Sequence, residues 1–267
     1  MYCTDFEYDN KKLSDYDMII GALNGSGGSE IVSSGADIVF NQIRPSGSGF
    51  FNLYSSAYQE PFTTTFQVMK NPCKCRGKYY LSPMEVSHIQ RWLCQKNYNR
   101  FKIFQEGYED IHWNAVFSSK QVMLNGHIAG LELTLYTDAP YAYLDQIKYA
   151  FHCTKNVPGT LYDTSDELGS IYPDVLIIIN EPGIFKLENS MDNKVTEIRN
   201  VISGEAITIH GRNQTISSSN PDHKIFSDFN WFFPRIINTY QNNRNDFTTS
   251  LECDVTFTYS PIRKVGL

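Results

Sequence analysis

The sequence predicts a mainly β protein of two domains. The first is a β-sandwich or barrel with one packed α-helix, and the second is an antiparallel β-sandwich. Three observations carry this expectation. One stretch, beginning at Leu81, has a complete helix start. Apolar and polar residues alternate with a period of two over 131–136 and 251–259, the pattern of half-buried strands. Beyond residue 143 short apolar runs recur between turn residues, as in all-β sandwiches.

Over 6–20 the chain reads as strand, turn, strand. Asp9-Asn10 supplies the turn, and Tyr16, Met18 and Ile20 alternate with more polar neighbours. Gly/Ser clusters at 24–29, 33–36 and 46–49 punctuate short strands at 30–32 and 37–42. These clusters are not phosphate loops, because no Gly-Lys-Ser/Thr follows and no strand-to-helix change surrounds them. A strand follows Pro61, with Phe62, Thr64, Phe66 and Val68 on one face, and a loop at 71–77 leads to the helix. There Ser82 accepts from free amides of the first turn, Pro83 sits where a missing N–H costs nothing, and Glu85 reaches back to close a capping box. Val86, Ile89, Trp92 and Leu93 form the apolar stripe, which stops near Asn97. Strands at 101–105, 111–117 and 131–136 follow, and Pro140 marks the end of the last. The first domain is placed at 1–143.

The second domain, 144–267, reads as strands at 147–154, 172–180, 184–188, 194–201, 206–210, 214–217 and 251–259. Turn chemistry lies between them in Glu181-Pro182-Gly183, Asp192-Asn193, Ser203-Gly204 and Gly211-Arg212-Asn213. Such spacing argues a sandwich of the jelly-roll kind. In the last strand Leu251, Cys253, Val255, Phe257 and Tyr259 face inward.

Composition narrows the function. The net charge is −6 and no Lys/Arg run stands out, which argues against tight phosphate binding to nucleic acid. The longest apolar run, Val175-Leu176-Ile177-Ile178-Ile179, falls far short of the roughly 20 residues of a membrane span. The first residues lack the basic and apolar parts of a secretory signal, so the chain is expected to stay in the cytosol unless it leaves within a larger particle. Cys73-Lys74-Cys75 lacks the two-residue gap of common zinc and redox pairs. Joined with His88 or Cys94 it makes a poor metal site, and free thiols are expected.

Carboxylates cluster as Glu106 with Glu109 and Asp110, and as Asp163 with Asp166 and Glu167. Both groups read as solvated loop charges. The six histidines, at 88, 112, 127, 152, 210 and 223, are scattered; there is no His-Glu-x-x-His and no Gly-x-Ser-x-Gly. No catalytic residue, metal ligand or cofactor site is expected. Trp231-Phe232-Phe233 would stack on a sugar if exposed, but beside Pro234 the run reads as core packing or a plug. Carbohydrate binding is the second reading.

The order of features over 81–143, a capped helix ending in Arg91-Trp92-Leu93, aromatic strands, an alternating strand and then Ala139-Pro140-Tyr141-Ala142-Tyr143, resembles the distal tail proteins of long-tailed bacteriophages. Phe6-Glu7-Tyr8-Asp9-Asn10 and 14–20 are similar to how these proteins begin, although many members carry Gly where this chain has Asp17. Gly204-Glu205-Ala206-Ile207-Thr208-Ile209 and the run from Asp228 to Ile236 resemble their second, galectin-like domain.

The resemblance implies a non-enzymatic structural protein of the virion tail, assembled in the host cytoplasm. It implies a six-membered ring of copies at the end of the tail tube that serves as baseplate hub. Its partners would be the tail tube protein, a tail-associated hub protein and a fibre or receptor-binding protein, with DNA passing through the channel without specific binding. The aromatic arm-like segment 21–54 offers Phe50, Phe51 and Tyr54 as ring-interface candidates. A neutral to acidic channel wall is expected, with Asp15, Asp17, Glu106, Glu109 and Asp110 as contributors.

Overall fold

The structure, a computed structural model, describes residues 4–21, 23, 35–75, 77–155 and 157–266. The expected strand at 30–32 and the Gly/Ser cluster at 24–29 lie outside the described residues, as does the first half of that at 33–36. Contacts divide the chain into one unit of Met1–Leu144 with Arg263–Leu267 and a second of Asp145–Ile262. The last residues therefore belong with the first unit, whereas the sequence reading placed them in the second domain. Val265 packs on the first unit's core, and the Tyr108 hydroxyl donates to the Gly266 carbonyl over 3.2 Å.

The first unit is an antiparallel sheet with a helix on its buried face. Its strands run in the order Lys11–Lys12, Phe6–Tyr8, Asn99–Ile103, Ile111–Leu124, His127–Thr137, Thr63–Lys70 and Met18–Ile20. The helix spans Pro83–Leu93 and starts as its sequence dictates: the Ser82 hydroxyl accepts from the Glu85 amide, and Glu85 Oε2 accepts from the Ser82 amide at 2.7 Å. The Lys70 ammonium, 2.7 Å from Glu85 Oε1, and the Ser82 donors offset the effect of burial on this carboxyl, which falls to a pKa of about 2. Cys94 caps the helix, so it ends earlier than the apolar pattern suggested.

Val86, Ile89, Trp92 and Leu93 are buried against Phe6, Tyr8, Phe101, Phe117 and Leu133. The Trp92 ring stacks between Tyr16, 4.6 Å away, and Phe6, 5.8 Å away, and its indole N–H donates to the Tyr8 carbonyl over 2.9 Å. Burying a large ring with its one polar atom paired gives the full apolar gain without an unmet donor.

The segment expected to be strand, turn, strand is more broken than that. A 3-10 turn, Leu13–Tyr16, separates the second and third strands and drops Leu13 into the core. Asp17 then takes φ 54° and ψ 34°, the left-handed conformation. This accounts for the departure at this position: Asp is among the few non-glycine residues that visit this region routinely. Asp17→Gly is expected to leave stability within about 1 kcal/mol, whereas Asp17→Val should cost roughly 1–2 kcal/mol or more. Thermal denaturation of the two variants checks the difference.

The second unit packs two antiparallel sheets on one core. One sheet has the order Ile147–Cys153, Cys253–Tyr259, Asp174–Ile179, Ala206–His210, Thr215–Ser218. The other has the order Gly159–Tyr162, Arg244–Thr249, Gly183–Asn189, Lys194–Val201. Val175, Ile177, Ile179, Val255 and Phe257 from the first sheet meet Phe185, Leu187, Ile198 and Phe247 from the second. The last long strand alternates buried and half-buried along its length, with Cys253, Val255, Phe257 and Tyr259 inward. Turns bend where their residues permit positive φ: Asn193 at 53° and Gly204 at 82°.

Candidate functional site: an exposed apolar hairpin

Among the described residues, one element stands apart from both cores. Strands Ile38–Ile43 and Asn52–Tyr58 pair only with each other, and every residue but Tyr58 is exposed. The connecting turn is built locally. The Ser48 amide donates to the Pro45 carbonyl, Gly47 takes φ 79°, and the Arg44 guanidinium donates to the Ser48 carbonyl over 2.7 Å and lies over the Phe51 ring. Register shifts between Asn41 and Gln42, which pair with Ser55 and Leu53, so Tyr54 is the extra residue of a β-bulge. The root is held by Tyr58, whose ring meets Tyr141 edge-on at 6.4 Å.

Phe50, Phe51 and Tyr54, the residues singled out from sequence, are 80%, 63% and 76% exposed. They occupy the turn and the bulge. Sequence reasoning missed Ile38, Val39, Phe40, Ile43 and Leu53, which are also exposed. Alternation places Ile38, Phe40 and, after the bulge, Leu53 on one face, with Val39 and Ile43 on the other. The signal was present as the apolar run Ile38-Val39-Phe40 followed by Pro45, Gly47 and Gly49. A lone two-stranded hairpin is marginal in water, and a contiguous apolar surface of this kind marks an interaction site.

The polar clusters do not form an open reactive site. Asp163 corrects the expectation of a solvated loop charge: it is buried and accepts from the Ser165 hydroxyl at 2.8 Å, the Tyr259 hydroxyl at 3.1 Å and the Asn238 amide at 3.1 Å. Burial, and then this carboxylate, push the Tyr259 phenol up. The Asp166 amide donates to the Ile262 carbonyl over 2.9 Å. Glu109, at the surface, is held low by its own backbone and the Gly107 amide. His88 is exposed on the helix and lines a groove with Lys11 and Arg91.

A second buried carboxylate, Glu205, was unassigned from sequence. Its Oε1 accepts from the Ser218 hydroxyl and lies 2.5 Å from His223 Nδ1, and its Oε2 accepts from the Ile202 amide at 3.0 Å. His223 Nε2 lies 2.9 Å from the Arg199 carbonyl and 3.4 Å from Asp228 Oδ2. With every oxygen engaged and both side chains enclosed, the cluster fastens the 219–228 segment to the sheets.

The aromatic run splits. Phe233 is buried as expected, whereas Trp231 is 56% exposed, takes φ 61° and stacks on exposed Phe226. Among the described residues, no group of three or more His, Cys, Asp and Glu side chains converges as a metal site. Cys75 donates to the Pro72 carbonyl, and Cys94 contacts the Ser119 hydroxyl.

Two family models match most of the chain: a phage tail protein N-terminal domain over residues 1–139, and a phage tail C-terminal domain over 141–259. The chain belongs to the phage tail protein family. The fold of this tail protein is similar to that of the Dit protein of phage SPP1, a paradigm of the hub adsorption apparatus in phages that infect Gram-positive hosts. The TM-score is 0.67 at 9% identity, over 96% of this chain and 98% of that one. A chain of the phage P2 baseplate in its activated conformation with calcium also matches, at TM-score 0.47 and 10% identity over 97% of this chain and 98% of that one. Comparison with curated proteins gives no match. The mainly β, two-unit tail-protein architecture expected from sequence is the one observed.

Proposed function

We propose that this tail protein is the distal tail protein of a tail tip: six copies close into a ring at the end of the tail tube and serve as baseplate hub. The observation that carries this reading is the hairpin of 38–58, whose apolar residues are left exposed by the described residues of their own chain. A neighbouring copy in a ring would cover it, and a closed ring leaves no copy with an unmet patch. Phe50, Phe51 and Tyr54 are the interface residues of this arm, and the first unit forms the ring. The second unit is a galectin-like platform for a fibre or receptor-binding protein, and the tail tube and a tail-associated hub protein flank the ring. The particle assembles in the host cytoplasm and resides in the virion tail. DNA passes without specific binding, since each copy carries −6 and a wall without a basic excess does not retain phosphates.

Native mass measurement of the protein and of crosslinked tail tips should give six copies per level, in one ring or two stacked. The triple variant Phe50→Ser, Phe51→Ser, Tyr54→Ser should remain folded and lose the ring, because buried aromatic anchors dominate interface energy. Three or eight copies per level, or a channel wall with more Lys and Arg than Asp and Glu, would overturn the respective claims. A stable monomer retained on glycans through Phe226 and Trp231 would favour the carbohydrate-binding reading instead.

A further inference from the structure

Two thiols occupy the core of the second unit as a facing pair. Cys153 closes the strand Ile147–Cys153, Cys253 opens the strand Cys253–Tyr259, and the two are direct partners in the antiparallel register. They are 2% and 0% exposed, and both are reduced. The register sets the two enclosed side chains directly opposite each other. Side chains directly opposite in an antiparallel pair have Cβ atoms about 4.5–5.5 Å apart, and a disulfide needs roughly 3.5–4.5 Å. The bond is therefore a side-chain rotation and a small approach away, with no change of register.

We propose that Cys153 and Cys253 are a disulfide-forming pair, oxidised by a low-molecular-weight disulfide such as oxidised glutathione. The pair stands at the ends of its two strands, so fraying of those ends admits the oxidant while the rest of the sheet stays paired. Either thiol can attack first, because the two stand opposite each other at the ends of their strands, and the sequence beginning at Cys153 is representative.

The Cys153 thiolate attacks one sulfur of oxidised glutathione, forming a mixed disulfide and releasing one glutathione thiolate. Cys253 then gives up its proton and attacks the Cys153 sulfur, releasing the second glutathione. Two protein thiols lose two electrons and two protons, and one glutathione disulfide becomes two thiols. The bond ties the first strand of the unit to its last long strand, enclosing nearly the whole unit in one covalent loop. A virion component that passes from a reducing cell to an oxidising exterior would acquire this lock after release. The chemistry itself does not depend on the ring.

The test uses the full chain with Cys3, Cys73, Cys75 and Cys94 each replaced by Ser, incubated natively with oxidised glutathione and then alkylated in denaturant. The expected result is an intact mass lower by about 2 Da, a Cys153–Cys253 linked peptide pair and a higher melting temperature, all reversed by dithiothreitol. Cys253→Ala should leave Cys153 carrying glutathione. The proposal is overturned if both thiols of the parent remain alkylatable, or if glutathione stays on either without closure.

Discussion

Trp92→Ala is expected to cost about 3–5 kcal/mol of stability, the range for removing a buried large aromatic and leaving a cavity. The loss has three parts. The ring's contacts with Phe6, Tyr8 and Tyr16 disappear, the Tyr8 carbonyl loses the indole N–H that donates over 2.9 Å, and the helix loses its largest anchor on the sheet. At the usual conversion for chains of this size the melting temperature should fall by roughly 10 °C. Trp92→Phe should lie between, because it keeps much of the stacking but not the donor. Calorimetry of the three proteins measures this directly, and an unchanged melting temperature for Trp92→Ala would mean that the helix does not bear on the core as described. Since Tyr16 stacks on the same ring at the end of the 3-10 turn, the variant should also loosen the N-terminal segment, visible as faster amide exchange over 13–20.

The helix was legible because its signals are local: a cap, a proline and a carboxylate three residues on specify one hydrogen-bonded geometry. The alternating strands were legible for the same reason, since a period of two needs only a few residues. What escaped depends on distant partners. The strand Arg244–Thr249 is absent from the sequence reading, and it contains the polar pair Asn245 and Asp246. Yet Asn245 is fully buried, with its oxygen accepting from the Asn189 side chain and the Ile237 amide and its nitrogen donating to the Ile237 carbonyl. Asp163 was misread likewise, because its donors come from Ser165, Asn238 and Tyr259, up to 96 residues away. The strand Asn52–Tyr58 was hidden by its serines and by a bulge that interrupts the alternation. In the hairpin the informative fact is exposure, which the apolar run Ile38-Val39-Phe40 by itself does not distinguish from burial.

Removing the Glu205 carboxylate is expected to destabilise the second unit by about 3–5 kcal/mol, because three buried groups lose the acceptor they share and each unmet one costs roughly 1–3 kcal/mol. In Glu205→Ala the Ser218 hydroxyl, the Ile202 amide and His223 Nδ1 all lose their acceptor in a site closed to water. The acid limb of the stability profile provides an independent check. Burial alone would raise this carboxyl, but the Ser218 and His223 hydrogen bonds and the Ile202 amide together hold it below the usual 4.5. A carboxyl depressed in the folded state contributes stability that is complete above its unfolded value and is lost as the pH falls through the folded one. Wild type should therefore hold this contribution above about pH 4.5 and lose it progressively below, while Glu205→Ala lacks that component of the acid dependence. Chemical denaturation at several pH values between neutrality and pH 3 gives both profiles. Parallel curves would show that Glu205 is not ionised in the fold. Curves that converge toward low pH would place a charged carboxylate at the join between the 219–228 segment and the sheets, the segment that also carries Phe226.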